Sequence, residues 1–215
     1  MAELEPTPDP AGVRARILQN AMSLFARYGF AGTSVRQIAE VSGLTKAGLY
    51  YHFPDKASLY RAAIVETSRY LESRVSRATE ESPEPARRVR AYLHAHVRTF
   101  VEEGHLLRLF YNNLFLGAED APSLGSEMEA HECVLIRLLG ECADAGLLSP
   151  DHVEPLSLML TGGLEVVGAT WLIDPGHPPP SFELADQLLV VAAPRIAEAA
   201  GIDPSTTYPK KGNCS

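Results

Sequence analysis

The sequence predicts an all-α protein, and three observations carry that prediction. Apolar residues recur at three- and four-residue intervals through most of the 215 residues, Gly and Pro punctuate them at helix-sized lengths, and no strand-like alternation of useful length occurs. With 46% hydrophobic residues, the chain is long enough to bury a sizeable core.

Taken in order, residues 1–10 hold three prolines and little to bury, and read as a disordered tail. A first helix follows, with Val13, Ile17, Ala21, Leu24, Phe25 and Tyr28 at helical spacing and Gly29 as its stop. Ser34 and Gln37 have the spacing of a capping box, so a second helix is expected to start there, with Ile38 and Ala39 turned inward. Gly43 can take the left-handed conformation of a sharp turn, and Thr45 can cap a third helix in which Leu49 and Phe53 face inward. Pro54 and Asp55 then break the chain and cap a long fourth helix from Lys56 to about Thr79. Beyond Ser82–Pro85 the pattern predicts helices over 86–103, 126–145, 151–173 and 182–200. Between the first two of these lie Gly104, an aromatic-rich segment over 105–116, and a polar loop over 117–125. A stiff Pro-rich loop covers 174–180, and residues 202–215 read as a flexible tail.

The face left outside on the third helix carries the chemistry. Lys46, Ala47, Gly48, Tyr50, Tyr51 and His52 place a cation, two phenols and an imidazole beside two very small residues. That combination suits a DNA groove: Lys46 can meet a phosphate or guanine, Tyr50 and His52 can donate to phosphates, and the small residues permit close approach. Lys56 adds a cation at a helix N-terminus, where backbone amides also favour a phosphate. Arg36 can reach DNA as well, although a surface ion pair with Glu40 one turn on is the competing use.

Charge is divided unevenly. The whole chain carries −8, yet residues 11–56 hold six Arg or Lys against Glu40 and Asp55, a local +4. The local field is what attracts phosphates, so a basic reading head on an acidic body is the expectation. No apolar run is read as reaching the roughly 18 residues a membrane span needs, and the acidic, Pro-rich start is unlike a signal peptide. A cytoplasmic protein is therefore expected. The three widely spaced cysteines, Cys133, Cys142 and Cys214, are too few for a disulfide scaffold. Neither a nucleophile motif, a phosphate loop nor metal-ligand spacing points to an enzyme, and His94 and His96 leave different faces of one helix.

The run from Arg27-Tyr28-Gly29-Phe30 through Gly32–Ala39, Gly43–Phe53 and Lys56–Leu59 resembles the DNA-binding domain of the TetR family over roughly residues 11–60. The resemblance implies an all-helical homodimer of about nine helices per subunit. Its N-terminal three-helix helix-turn-helix domain would span 11–56, and a larger C-terminal helical domain, 57–201, would bind ligand and dimerise. It also implies roles for residues. Thr33 and Ser34 would lie near the DNA backbone, Arg36 would reach phosphate or base, and Lys46, Ala47 and Gly48 would open the recognition helix. Tyr50, Tyr51 and His52 would contact phosphates, and Lys56 matches the lysine that opens the fourth helix.

For the second domain, His96, Phe100, Phe110, Tyr111, Asn113, Met128, His131 and Trp171 are candidates to line an effector pocket, with Met159 and Glu165 beside them. The run Leu188–Ala193, with the small residues of the preceding helix, offers a dimer interface, and twofold operators are best read by paired motifs. The expectation is a ligand-responsive regulator, a repressor that binds a palindromic operator and is released by a small molecule of unknown identity, with no cofactor and no metal. The alternative is an activator or architectural protein whose second domain binds a protein partner.

Overall fold

The structure, a computed structural model, describes residues 10–115, 132–174 and 176–203, with side chains from 11–109 and from 134 onward in those ranges. Among the described residues there are nine α-helices and no strand. They are α1 (Pro10–Gly32), α2 (Val35–Val41), α3 (Lys46–His52), α4 (Lys56–Thr79), α5 (Pro85–Phe115), α6 (Glu132–Asp144), α7 (Val153–Ile173), α8 (Phe182–Ala192) and α9 (Pro194–Ala199).

The described residues fall into two compact units, 10–69 with 105–115, and 70–104 with 132–203 apart from 175. The first unit thus reaches past the expected boundary at 56, because α4 is continuous and its opening turns carry their own core residues. Leu59 and Ala63 are fully buried, and the Tyr60 ring meets Phe25 edge-on at 4.8 Å and Phe30 at 4.9 Å. Around them stand Ile17 and Ala21 of α1, Ile38 and Ala39 of α2, and Leu49 of α3, all withdrawn from water. Gly29 interrupts α1 at φ +71 and ψ 176, which only a residue without a Cβ adopts easily, and one further turn follows it. Tyr28, expected inside, is about half exposed.

In the second unit α5, α6, α7, α8 and α9 close over Val89, Leu93, Leu138, Leu160, Leu189 and Ile196. Three contacts set α5 beside α7. His96 meets Glu165, Phe100 presses on Gly168, and Gly104 lies under Trp171 and Leu172. Both residue numbers rise together, so the two helices run in parallel. Gly104 therefore serves close packing, and the break expected beside it is present as a kink one residue earlier. A Cβ there would come within 2.9 Å of Leu172, and α5 passes through with a kink at Glu103. Tyr70 donates its hydroxyl to Glu103 at 2.8 Å, and Arg74 pairs with both Glu102 and Glu103 at that kink.

Three further expectations change. The last helix is two, because Pro194 has no N–H to continue α8 and instead opens α9. Ile202, placed in the tail, is buried and donates its N–H to Ala197 after Gly201 at φ +76. Pro150–Ile173 does reach membrane-spanning length, with a mean hydropathy of 1.5 over 18 residues. The reason is that α7 is apolar on two sides: Leu156, Leu160 and Leu164 are buried, whereas Leu158, Met159, Val166 and Ile173 are exposed. Cys142 is a packing residue. Burial, helped by the Glu141 charge and opposed by Arg88, pushes its thiol up to about 11.

Candidate nucleic-acid interface

The helix-turn-helix is built by local hydrogen bonds that the residue types dictate. Ser34 caps α2 by accepting from the Gln37 N–H at 3.2 Å, and Gln37 Oε1 accepts from the Ser34 N–H at 2.8 Å. Gly43 turns the chain at φ +67, with Leu44 donating back to the Ala39 carbonyl at 2.9 Å. Thr45 Oγ1 then accepts from the Gly48 N–H at 3.1 Å and starts α3. Asp55 does the same for α4, accepting from the Ser58 N–H at 2.6 Å; that bond leads the influences holding its carboxyl below the ordinary value. Every turn of this motif thus has a residue whose side chain satisfies an otherwise unpaired amide.

The sequence-based site residues separate into three groups. Lys46, Ala47, Tyr50 and Tyr51 are exposed, and Gly48 and His52 are half-exposed, along α3. Tyr51 is the most open, at 85% exposure, with its ring edge-on to His52 at 5.3 Å, and the Lys46 ammonium stands 5.6 Å from the Tyr50 ring centre. Ser34 and Arg36 are exposed on α2, and Arg36 Nε donates to Glu40 at 3.2 Å, so the competing ion pair is present in this state. Lys56 is drawn partly inward. Its ammonium sits 4.3 Å from the Phe30 ring centre, and loss of water there pushes its pKa down.

Thr33 is a correction. Expected near the DNA backbone, it is 1% exposed, and its hydroxyl donates inward to the carbonyls of Gly29 at 2.8 Å and Leu24 at 3.1 Å. Those carbonyls end the regular part of α1, so the hydroxyl is committed to closing a helix. Sequence reading also passed over Arg16 and Asn20 of α1, which donate to the end of α2. Their i, i+4 spacing was the available signal.

In the second unit, His96 Nε2 lies 3.3 Å from Glu165 Oε1, and its Nδ1 is buried with no hydrogen-bond partner among the described residues. Thr161 Oγ1, one turn before Glu165, is likewise buried and unpartnered among the described residues. The His96 ring lies 5.2 Å from Tyr92 and 6.3 Å from Phe100. Phe100 is fully packed on Gly168, where a Cβ would come within 2.2 Å of the ring, and Trp171 is half-buried against Gly104. Met159 stands on the exposed side of α7 and does not join them, because its position is turned away from the buried leucines. Met128 and His131 lie outside the described residues, and Phe110, Tyr111 and Asn113 fall on the last turns of α5, where side chains are not described. His94 is engaged by Asp186 at 2.7 Å, and among the described residues no group of three or more metal-ligating side chains is assembled.

A capped three-helix head with an open cationic and phenolic face has the build of a helix-turn-helix of the kind that enters a DNA groove. The model of the family "Bacterial regulatory proteins, tetR family" matches residues 17–63. Residues 17–63 are thus similar to the DNA-binding segment of the TetR family. The chain is 37% identical over 81 residues to the HTH-type transcriptional regulator LmrA of Bacillus subtilis (strain 168), covering 37% of this chain and 43% of LmrA. It is 28% identical over 148 residues to the HTH-type transcriptional regulator RutR of Escherichia coli (strain K12), covering 67% and 68%. The chain thus spans less than half of LmrA and about two thirds of RutR. Among solved structures, AibR in complex with isovaleryl coenzyme A and operator DNA shares the fold with a TM-score of 0.60 and 19% identity, covering 85% of this chain and 98% of that one. FadR from Bacillus subtilis in complex with stearoyl-CoA does so with 0.63 and 15%, covering 83% and 97%.

Proposed function

We propose that the protein is a ligand-responsive repressor that binds a palindromic operator as a homodimer in the bacterial cytoplasm and is released by a small molecule held in its second unit. The observation that carries this reading is the open face of α3, where Lys46, Ala47, Gly48, Tyr50, Tyr51 and His52 line one capped helix. Ala47 and Gly48 permit close approach to bases, Lys46 supplies charge, and the phenols and His52 reach phosphates. Ser34, Arg36 and Lys56 add backbone contacts from α2 and α4, with Arg36 exchanging Glu40 for a phosphate. Support for dimerisation comes from the exposed apolar residues Leu158, Val166 and Ile173 of α7 and Val191 of α8. The effector is read as meeting His96 and Trp171, with Phe100 behind them. Acyl-coenzyme A thioesters are the first class to try, since both AibR and FadR are complexes with one. α4, unbroken from Lys56 to Thr79, is the route by which ligand state reaches α3.

The test is direct. A duplex selected from a random library by the full-length protein is titrated with wild type, Lys46→Ala and Lys56→Ala at fixed low salt. Each variant should retain its melting temperature and bind about fivefold or more weakly, with a shallower salt dependence from the lost phosphate contact. Unchanged affinity for both would refute the assignment. Adding isovaleryl- or stearoyl-CoA to the wild-type complex then asks whether this effector class releases DNA.

A further inference from the structure

Three hydrogen bonds from α1 converge on the turn between α2 and α3. Arg16 Nε donates to the Ser42 carbonyl at 3.1 Å. Asn20 Nδ2 donates to the Val41 carbonyl at 3.3 Å and to Ser42 Oγ at 3.1 Å. Arg16 and Asn20 stand one helical turn apart, so both leave the same face of α1. What they hold is the end of α2, whose last carbonyls have no partner within the helix and whose terminus carries partial negative charge. Ser42 is itself buried, its N–H is spent on the carbonyls of Ile38 and Ala39, and the next residue is Gly43 at φ +67. The turn therefore begins at a residue bonded from two helices at once, three positions before Thr45 caps α3.

We propose that Arg16 and Asn20 are positioning residues for DNA reading. They fix the direction in which the chain leaves α2, and through it the placement of Lys46, Ala47 and Gly48, without touching bases themselves. The proposal rests on the reading of the chain as an operator-binding regulator. A side chain that reads a base edge must be held within a fraction of an ångström, whereas a phosphate contact tolerates displacement. A Ser42–Gly43 turn released from α1 spreads α3 over several directions. Binding to the correct sequence should then suffer more than binding to DNA in general. Nothing in the local sequence of the motif supplies this restraint, because its donors lie more than twenty residues upstream.

The experiment begins with full-length wild type selecting a duplex from a random library; failure to enrich any sequence refutes the DNA-binding reading, not the brace. Arg16→Ala, Asn20→Ala and Asn20→Asp are then titrated against the selected duplex and a scrambled one at fixed salt, far below their melting temperatures. Asn20→Asp keeps the shape of the side chain, but its carboxylate cannot donate to the Val41 carbonyl, so the test survives if the alanine variant folds poorly. Each variant is expected to bind the selected duplex about fivefold more weakly, the size of one lost hydrogen bond, with the scrambled duplex unaffected. The Arg16→Ala, Asn20→Ala double variant should lose less than the product of the two, since both groups hold one turn. Unchanged affinity of both Asn20 variants overturns the proposal. So does an equal loss on both duplexes in Arg16→Ala with a shallower salt dependence, which makes Arg16 a phosphate contact.

Discussion

At Gly168 a single added methyl group has nowhere to go. Its Cβ would lie 2.2 Å from Cε1 of Phe100 and within 2.4 Å of two more ring atoms, and Phe100 is itself sealed in the core at 1% exposure. Either the ring leaves its place or α5 and α7 separate, and overpacking of this kind costs about 1–3 kcal/mol. Gly140 of α6 is the contrasting case: among the described residues, nothing beyond its chain neighbours and its own helix backbone would lie within 4 Å of a Cβ there. There alanine removes the conformational cost of a helical glycine, about 1 kcal/mol. Denaturant unfolding should therefore show Gly168→Ala destabilised by about 2 kcal/mol and Gly140→Ala stabilised by up to about 1 kcal/mol. If both glycines respond alike, local packing is not what distinguishes them. The same attention to single atoms explains Thr33, which a linear reading puts on the DNA side and two inward carbonyls withdraw from it.

Between elements, the ion pairs of α5 and α8 give the second unit a defined response to acid. Asp186 of α8 accepts from Arg90 Nε at 2.9 Å and Nη2 at 2.6 Å, and lies 2.7 Å from His94 Nε2. Burial pushes the Asp186 carboxyl upward, but the hydrogen bonds from Arg90 and His94, joined by their charges, outweigh it and hold the carboxyl below its ordinary value. A carboxylate lowered on folding contributes its full stability above its unfolded value, near pH 4, and loses it as pH falls through the folded value. Asp186→Asn should therefore cost about 2 kcal/mol at neutral pH and flatten the acid limb of a stability–pH curve below about pH 4. An unchanged limb would show that the pair adds no stability there. How far each element was legible in the sequence follows from how local its causes are. The capping box of Ser34 and Gln37, the Gly43 turn and the Thr45 cap lie within a few residues and were readable. The break beside Gly104 was readable, and is a kink at Glu103, but its packing role was not, because Leu172 and Trp171 lie about seventy residues away. The Pro194 break was written in the sequence and lost inside a continuous apolar run. Arg16 and Asn20 show only their i, i+4 spacing, which does not say which turn they hold.

At the scale of the whole molecule, the apolar outer side of α7 is the feature a single chain leaves unexplained. Leu158, Val166 and Ile173 are each more than half exposed, at 68%, 66% and 58%, and recur along the side opposite the buried leucines. A helix that is apolar on two sides has two things to pack against, and the second unit supplies one of them. A second copy of the chain supplies the other in the proposed dimer, with Val191 of α8 beside it. Replacing Val166 by Glu places a charge in that face without touching the core, so the subunit should keep its helical content and fold within about 0.5 kcal/mol of wild type. Sedimentation at micromolar concentration should then report the 23.3 kDa subunit for the variant and twice that mass for wild type. Because a twofold operator is held by two heads at once, loss of the dimer also removes the high effective concentration of the second head. Affinity for the selected duplex should fall at least tenfold on the order-of-magnitude scale of such linkage, while the salt dependence per head is kept. A Val166→Glu protein that remains at twice the subunit mass would move the interface off α7. A monomeric variant with undiminished affinity would separate dimerisation from operator binding altogether.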